Sequence, residues 1–288
     1  MKTYVLYHAN CWDGFCAAWI AHRVLPTDTV FIPVQYGQPE PDMECSSIVY
    51  VLDFSYPRQA MHNLRKQMHK VIVLDHHKTA QAELADFVEE FIQRPDLINN
   101  IPGSELPVIH FDMNKSGGRL TWEYFHGSDP APWLVDYTES RDLWRWNLDH
   151  SREFNAWLRS YPLDFEVWNE FATIRVGSDE WGYAFHEGAA ILRREKQIID
   201  DHVKHAREIE MDVHKILAVN ATVLFSEIAG ELAKDRPFGA CYFDRQDGKR
   251  QWSLRSSGEN GLDVAEIAKA HGGGGHKNAA GFEEALCR

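Results

Sequence analysis

Cysteine is scarce in this chain and is never closely paired in the sequence. There are five cysteines among 288 residues, and no two of them form a Cys-x-x-Cys motif. An odd, scattered set of this kind is typical of reduced thiols. It argues against a disulfide framework and against a cysteine-rich structural zinc site.

Long apolar runs are absent as well. No stretch approaches the roughly 20 apolar residues that a membrane-spanning helix needs. The opening stretch MKTYVLYHAN is too polar beyond its short apolar run to be a signal peptide. We therefore expect a cytoplasmic protein that makes no contact with a membrane.

Basic residues are outnumbered by acidic ones. The chain has 30 Lys and Arg against 43 Asp and Glu, which gives a formal net charge of −13. Non-specific binding of nucleic acid depends on neutralising phosphates with Lys and Arg, so this balance argues against binding of a long duplex. A small phosphorylated ligand is still compatible with it, because a bound cation and a few basic residues can reverse the potential inside a pocket.

The composition and the order of predicted elements indicate a two-domain α/β protein. A hydrophobic fraction of 44% is typical of a globular chain, and 288 residues are long for a single core. Strand–loop–helix units in the first half predict a parallel sheet with crossover helices. The predicted domains are a larger α/β domain over 1–186, an amphipathic connector helix over 187–212, and a smaller α/β domain over 213–288.

Ionisable side chains follow three of the predicted strands, at the point where each strand ends. His8 follows the first apolar run, Asp53 follows SSIVYVL, and Asp75, His76 and His77 follow VIVL. The carboxyl ends of parallel strands meet at one edge of the sheet, which is where open α/β sheets bind ligands. Asp13 and Asp142 are further candidates, from the first loop and from ESRDLW.

These residue types suit metal-assisted hydrolysis of a phosphate ester. That chemistry uses two cations about 3.5–4 Å apart, held by carboxylates and imidazoles, with one carboxylate shared between them. Ligands rich in oxygen with a little imidazole favour manganese or magnesium, whereas zinc more often takes thiolate or histidine. Each residue taken alone would be interpreted as a surface residue or a helix cap; the set predicts a metal site.

Five motifs in this chain resemble the DHH phosphoesterase superfamily. LDHHKTA resembles its Asp-His-His signature, HANCWDG is similar to its first motif, and VLDFS is similar to its second. RDLW lies where a fourth, acidic motif is expected, and GGGGHKNAAGF resembles the DHH-associated C-terminal domain. The matches run in the family's order from His8 to Phe282. Within the superfamily, the resemblance is to phosphodiesterases of the oligoribonuclease or nanoRNase type.

The resemblance implies a role for each residue of the predicted site. His8 would bind one metal and Asp13 the other, with Asp53 bridging them. His76 and Asp142 would complete the shell of the second metal, and Asp136 is a weaker alternative to Asp142. Asp75 would orient His76, and His77 would face the scissile phosphate. The cofactors expected on this basis are two divalent cations, Mn²⁺ or else Mg²⁺.

The first motif departs from the family pattern at one position. The family usually carries two aspartates there, and in this chain the upstream one is replaced by Asn10 or Cys11. Asparagine can bind a metal through its carbonyl oxygen but brings no charge, whereas Cys11 would select a softer ion. The departure also leaves room for an inactive relative.

The C-terminal half carries candidate phosphate-binding residues. Glycines let the backbone approach a ligand closely, and an arginine offers a bidentate fork to phosphate. The substrate-binding candidates are Arg255, Ser256, Gly273, Gly274, Gly275 and His276. Without its context the glycine run would be interpreted as a flexible turn. Ser116, in NKSGGRLTW, is either part of an anion-binding helix N-terminus or a simple cap.

The resulting hypothesis is a phosphodiesterase that hydrolyses short oligonucleotides or linear dinucleotides to mononucleotides, using water activated between two metals. A cyclic-dinucleotide phosphodiesterase is the alternative among enzymes, and a catalytically inactive nucleotide-binding regulator is the alternative outside them. The resemblance implies a different C-terminal half for an inorganic pyrophosphatase, so the glycine motif disfavours that activity. The sequence leaves open RNA or DNA as substrate, and a monomer or a homodimer.

Overall fold

The computed structural model describes residues 1–89, 107–258 and 261–286. The chain divides into two compact units, Met1–Ala189 and Ala190–Arg288. The division falls inside the predicted connector.

The described elements of the first unit, in chain order, are β1 (Thr3–His8), α1 (Trp12–Val24), β2 (Val30–Val34), β3 (Ile48–Leu52), α2 (Arg58–Gln67), β4 (Lys70–Asp75), α3 (Lys78–Glu83), β5 (Val108–Phe111), α4 (Gly117–His126), α5 (Trp133–Asp142), α6 (Ser151–Leu158), α7 (Phe165–Ala172) and α8 (Asp179–Val203).

The first unit is built on a parallel sheet with the strand order β2-β1-β3-β4-β5. Residues 71–74 of β4 are fully or almost fully buried, as expected for an apolar strand covered on both faces. The chain leaves β1 toward β2 on one side and returns to β3 on the other. The carboxyl ends of β1 and β3 therefore flank a topological switch point, the position at which open α/β sheets bind ligands.

Helices cover both faces of this sheet. Alternate strand residues point to opposite faces, so Leu6 belongs to the core that contains Leu64 of α2, whereas Val5 belongs to the core that contains Leu120 of α4. A third core, rich in aromatic residues, packs α5–α8 around α1, with Trp168 fully buried at its centre. The predicted α/β class with a parallel sheet is confirmed.

The second unit contains a mixed sheet in the order β10-β11-β9-β8-β7-β6, in which β7 and β8 are parallel and the other neighbours are antiparallel. Its described elements are β6 (Arg207–Met211), β7 (His214–Asn220), α9 (Phe225–Leu232), β8 (Gly239–Asp244), β9 (Lys249–Arg255), α10 (Val264–Ala270), β10 (Gly274–His276) and β11 (Ala279–Ala285). The second unit is therefore of the α/β class, as predicted for the smaller domain.

The predicted connector helix over 187–212 was wrong at both ends. Helix α8 begins earlier, at Asp179, because Trp181 and Ala184 pack into the aromatic core of the first unit. It ends at Val203, and the segment Arg207–Met211 pairs with β7 as a strand. That segment reads REIEM, whose alternation of polar and apolar residues is the period of a strand.

No described helix is both long enough and apolar enough to cross a membrane.

Candidate metal centre

The strand ends at the switch point bring the predicted polar residues together. His8 is the last residue of β1, Asp53 directly follows β3, and Asp75 is the last residue of β4. Asp53 has a φ of +61°, a left-handed conformation that aspartate seldom adopts. Strained backbone of this kind persists where the surrounding structure holds it, and it clusters at functional sites.

The carboxylate of Asp53 lies between two histidines. Its Oδ2 is 3.3 Å from His8 Nδ1, and its Oδ1 is 3.0 Å from His76 Nε2. Asp53 is 1% exposed; its contact with His76 is buried, and its contact with His8 is partly buried. One carboxylate with a different imidazole at each oxygen has the arrangement expected of a ligand shared by two cations.

Asp13 is held by the N-terminus of α4. Its Oδ2 accepts a hydrogen bond from the backbone N–H of Gly117 at 2.5 Å, and its Oδ1 accepts one from Gly118 at 3.0 Å. Ser116 caps the same helix, since its Oγ accepts a hydrogen bond from the Arg119 N–H. The sequence left Ser116 open between an anion site and a cap. In the structure it is a cap, and the anion at this helix N-terminus is the chain's own Asp13.

The two glycines of this helix N-terminus allow it to approach the site. A Cβ on Gly117 would lie 2.6 Å from Asp53 Cβ, and a Cβ on Gly118 would lie 3.0 Å from Asp13 Oδ1. Neither position has room for a side chain. The Gly-Gly pair is therefore part of the structure that holds Asp13 against α4 beside Asp53.

Asp75 holds the ring of His77. Its Oδ1 lies 2.7 Å from His77 Nδ1 and also accepts hydrogen bonds from the backbone N–H groups of His76 and His77. Its Oδ2 accepts a hydrogen bond from Ser55 Oγ at 2.7 Å. The resemblance implied that Asp75 orients His76. In the structure Asp75 accepts a hydrogen bond from the backbone N–H of His76, and the Nε2 of the His76 ring lies against Asp53.

The structure separates Asp142 from its alternative, Asp136. The Oδ2 of Asp142, at the end of α5, lies 3.5 Å from His76 Nε2. Asp136 forms an ion pair with Arg119, and its side chain is 42% exposed. The two positions lie on different faces of α5, and only the face of Asp142 adjoins His76.

Buried carboxylates and imidazoles shift one another's pKa values in this site. Burial tends to lower the pKa of His76, but Asp142 and the hydrogen bond to Asp53 raise it well above the ordinary value. Burial tends to raise the pKa of Asp53, but hydrogen bonds with His76 and His8 bring it well below the usual range. Burial raises the pKa of both Asp13 and Asp142, and repulsion from Asp53 adds to the rise. The buried carboxylates thus repel one another, and burial with this repulsion favours the protonated forms of Asp13 and Asp142.

A divalent cation fits this donor set. Asp142 Oδ2 is buried and accepts no hydrogen bond from the described part of the chain. The donor atoms of Asp13, His76 and Asp142 lie within 4.8 Å of one another, and so do those of Asp53, Asp75 and His77. Carboxylate oxygens suit manganese and magnesium, and a cation would offset the repulsion between the buried carboxylates.

Because the pKa of Asp142 is raised, we expect Asp142→Asn to change the stability of the fold in opposite directions without and with bound metal. In chelator at neutral pH, Asp142→Asn should stabilise the fold by on the order of 1 kcal/mol, because a buried like charge is removed. A raised folded-state pKa costs stability only above the unfolded-state value, so the gain should vanish below about pH 4. With manganese present the variant should instead gain less in melting temperature than the wild type.

Thermal melts at pH 7 and pH 4, with and without manganese, test this prediction. Asp136→Asn is the matched control, since the Asp136 side chain is partly exposed and paired with Arg119. A destabilised Asp142→Asn protein in chelator would contradict the charge assignment.

The sequence did not predict the contacts of several residues beside the site. Ser55 follows β3 and the pair Gly117 and Gly118 belongs to the NKSGGRLTW helix N-terminus, but their contacts with Asp75, Asp53 and Asp13 depend on the tertiary structure. Tyr36, in the loop after β2, is 53% exposed, and its ring contacts the rings of His8 and His77 edge-on, at 5.1 and 5.7 Å between centroids. The sequence signal that could have identified Tyr36 is its position beside a glycine, in the loop that directly follows a strand of the parallel sheet.

The substrate-binding candidates of the C-terminal unit lie on β9 and the β10–β11 hairpin. Arg255, at the end of β9, donates from Nη2 to Ser226 Oγ at 2.6 Å, and Ser256 Oγ donates to Asn278 Oδ1 at 3.2 Å. His276 ends β10 and pairs with Ala279 of β11.

Two of the predicted glycines have a structural role. A Cβ on Gly273 would lie 2.1 Å from the carbonyl oxygen of Gly281, and a Cβ on Gly275 would lie 2.5 Å from that of Ala279. Both contacts are part of the hairpin itself. Gly274 lies between them on β10. Gly273 and Gly275 are thus required for tight backbone packing, whatever the glycine run also binds.

Residues 202–284 match the family model of the DHHA1 domain. Among curated proteins, the chain is 29% identical over 301 aligned positions to an uncharacterized protein of Acanthamoeba polyphaga mimivirus. The match covers 96% of this chain and 66% of that protein. The chain thus spans just under two thirds of the length of this relative.

Among solved structures, the DHH domain of a member of the s1p family of ribosomal proteins superposes with a TM-score of 0.55 at 12% identity, covering 99% of this chain and 83% of that one. A pGpG-specific phosphodiesterase of Vibrio cholerae gives a TM-score of 0.43 at 13% identity, with coverage of 99% and 94%. RecJ of Thermus thermophilus, in complex with Mn²⁺, gives 0.48 at 14% identity, with coverage of 99% and 50%. The first of these establishes the likeness of fold.

Proposed function

Since this chain fits the DHH phosphoesterase superfamily, by the DHHA1 match of its C-terminal unit and by its fold, we propose that it is a metal-dependent phosphodiesterase. The observation that carries the proposal is the position of Asp53. Its two oxygens face two different histidines at a sheet edge where three further carboxylates converge. A hydrolytic centre with two cations needs a shared carboxylate of this kind.

The proposed ligands divide between two cations. His8 would hold the first, Asp13, His76 and Asp142 would hold the second, and Asp53 would be shared. Bound cations would polarise the phosphate ester and lower the pKa of an attacking water molecule. Manganese is the proposed metal because the donors are mainly carboxylate oxygen with imidazole, and magnesium is the alternative.

His77 is the proposed residue that acts on the substrate. Asp75 engages its Nδ1 at 2.7 Å, which fixes the ring orientation and assigns Nε2 as the nitrogen for proton transfer or for a hydrogen bond to phosphate. Ser55 in turn fixes Asp75. A base held by an oriented carboxylate is the arrangement expected of a general acid or base.

The C-terminal unit is proposed to bind the substrate's phosphate through Arg255. Its guanidinium is held by hydrogen bonds to Ser226 Oγ and to the Leu254 carbonyl, so little side-chain freedom would be lost on binding. We expect Arg255→Gln to lower kcat/KM about ten- to a hundredfold, the effect of losing one charge-assisted contact worth about 1.5–3 kcal/mol.

Elemental analysis checks this division of roles. The Arg255→Gln variant should keep its full manganese content, because Arg255 is proposed to hold substrate and not metal. Arg236→Gln is the control, since Arg236 is an arginine of the same unit that pairs at the surface with Glu208. Loss of manganese from the Arg255 variant would contradict the assignment.

The proposed substrates are short oligonucleotides or linear dinucleotides. With a formal charge of −13, each phosphate that extends beyond the site meets a repulsive surface, over a screening length of about 8 Å at physiological salt. Hydrolysis should therefore be fastest for chains of about two to five nucleotides and should fall with length. Duplex DNA should be a poor substrate at any salt concentration.

A substrate panel tests the function. The protein would be incubated with manganese and with di- to decanucleotides of RNA and DNA, cyclic dinucleotides, and pyrophosphate, and the products separated by chromatography. Mononucleotide products from the shortest linear chains support the proposal. Cleavage of cyclic dinucleotides alone would select that alternative, and binding without hydrolysis of any substrate would select a nucleotide-binding regulator. Chains of tens of nucleotides degraded as fast as dinucleotides would contradict the length preference.

A further inference from the structure

The two halves of the candidate centre differ in chemistry. His8, Cys11 and Asp53 present donor atoms within 4.8 Å of one another, and one of these donors is a sulfur. The other half consists of Asp13, His76 and Asp142, whose donors are oxygen and nitrogen only. A site that includes sulfur prefers softer cations than a site of oxygen and nitrogen does.

The structure decides between Cys11 and Asn10, which the sequence left open. Asn10 is exposed, in a left-handed turn with a φ of +55°. Cys11 is half-buried at the start of α1, where its carbonyl accepts a hydrogen bond from the Phe15 N–H at 2.9 Å. The backbone of Cys11 is thus fixed by the helix, beside His8 and Asp53.

We propose that Cys11 binds a cation as a thiolate, together with His8 and Asp53, and that this half of the centre prefers a softer ion such as Zn²⁺ or Co²⁺. The proposal rests on the two-cation centre of the proposed function and adds a difference between its two sites. A sulfur and a nitrogen on one tetrahedral ion are about 3.5 Å apart, so small side-chain rotations bring donors within 4.8 Å into that range. The thiol gives up its proton to solvent when the cation binds.

The other cysteines provide matched controls. Cys16 lies on the same helix but is fully buried in the aromatic core of the first unit. Cys45 is exposed and belongs to the same unit. Neither is proposed to bind a metal, so Cys16→Ala and Cys45→Ser should leave cobalt binding and its spectrum unchanged.

Cobalt spectroscopy tests the proposal without using activity. Co²⁺ would be titrated into the chelator-treated full chain while absorption and bound metal are measured. A thiolate ligand produces a sulfur-to-cobalt charge-transfer band in the near ultraviolet. We expect the band in the wild type and in both controls, and we expect it to vanish in Cys11→Ser and Cys11→Asp. In Cys11→Asp, the preference for zinc over manganese should fall at least about tenfold.

Each outcome of the titration supports or overturns the proposal. Bound cobalt without the band, or a band that persists in Cys11→Ser, overturns the thiolate ligand while leaving the two-cation centre intact. Failure of the wild type to bind any cobalt overturns both the thiolate ligand and the metal centre. A band that is lost in Cys16→Ala but kept in Cys11→Ser would identify Cys16, and not Cys11, as the sulfur ligand. That result also overturns the proposal.

Discussion

Replacing Asp53 with asparagine is expected to lower kcat by roughly a thousandfold or more, which is about 4 kcal/mol of transition-state stabilisation. Asparagine keeps the size of the side chain but removes the charge that His8 and His76 share. With one oxygen replaced by an amide nitrogen, the side chain could not serve as the shared ligand proposed for the two cations. Manganese bound per chain should fall together with turnover.

The same substitution should destabilise the metal-free fold. The folded-state pKa of Asp53 lies well below its ordinary value, so the ionised form contributes stability at neutral pH. This stability decreases as the pH falls below the unfolded-state pKa and is lost as the pH falls through the folded-state pKa. Asp53→Asn is therefore expected to melt below the wild type in chelator, the reverse of Asp142→Asn. Turnover, elemental analysis and thermal melts check the two parts. A variant with near-native turnover at saturating manganese would contradict the bridging role.

His77→Asn is expected to have the second-largest effect, a fall in kcat of roughly a hundred- to a thousandfold, the range in which loss of a general acid or base lies. Asparagine can still accept a hydrogen bond and fills part of the same space, but it cannot transfer a proton at neutral pH. The proposed ligands of both cations remain, so bound manganese should be unchanged.

A control variant completes the test of His77. His110→Asn is the matched control, because His110 is exposed on β5 of the same unit. Loss of manganese from the His77 variant would show that His77 is a ligand, and an unchanged kcat would remove it from the chemistry.

The strand-end residues of the candidate site were predictable because the sheet is parallel. Buried parallel strands are short apolar runs, and their carboxyl ends meet at one edge, so the positions of His8, Asp53 and Asp75 in the sequence were enough to bring them together. Their mutual contacts were not predictable. The choice of His77 as the ring held by Asp75 depends on side-chain directions that the spacing of neighbouring residues does not determine.

Residues that act through tertiary contacts were beyond the reach of the sequence. The approach of Gly117 to Asp53 brings together positions far apart in the chain, and a Ser-Gly-Gly turn alone is equally typical of an ordinary cap. The segment Arg207–Met211 follows a helix of similar composition, and its alternation of polar and apolar residues is too short to mark a strand without the pairing to β7. The choice between Asp136 and Asp142 depended in the same way on which face of α5 packs inward.

The dependence of hydrolysis on manganese per chain tests the central claim most directly. Chelator-treated protein would be titrated with manganese while the hydrolysis of a linear dinucleotide to mononucleotides is followed. A centre of two cations that share Asp53 predicts little hydrolysis at one equivalent and a plateau only once two equivalents are bound. Full activity at one equivalent, or no hydrolysis with two manganese ions bound, would contradict it.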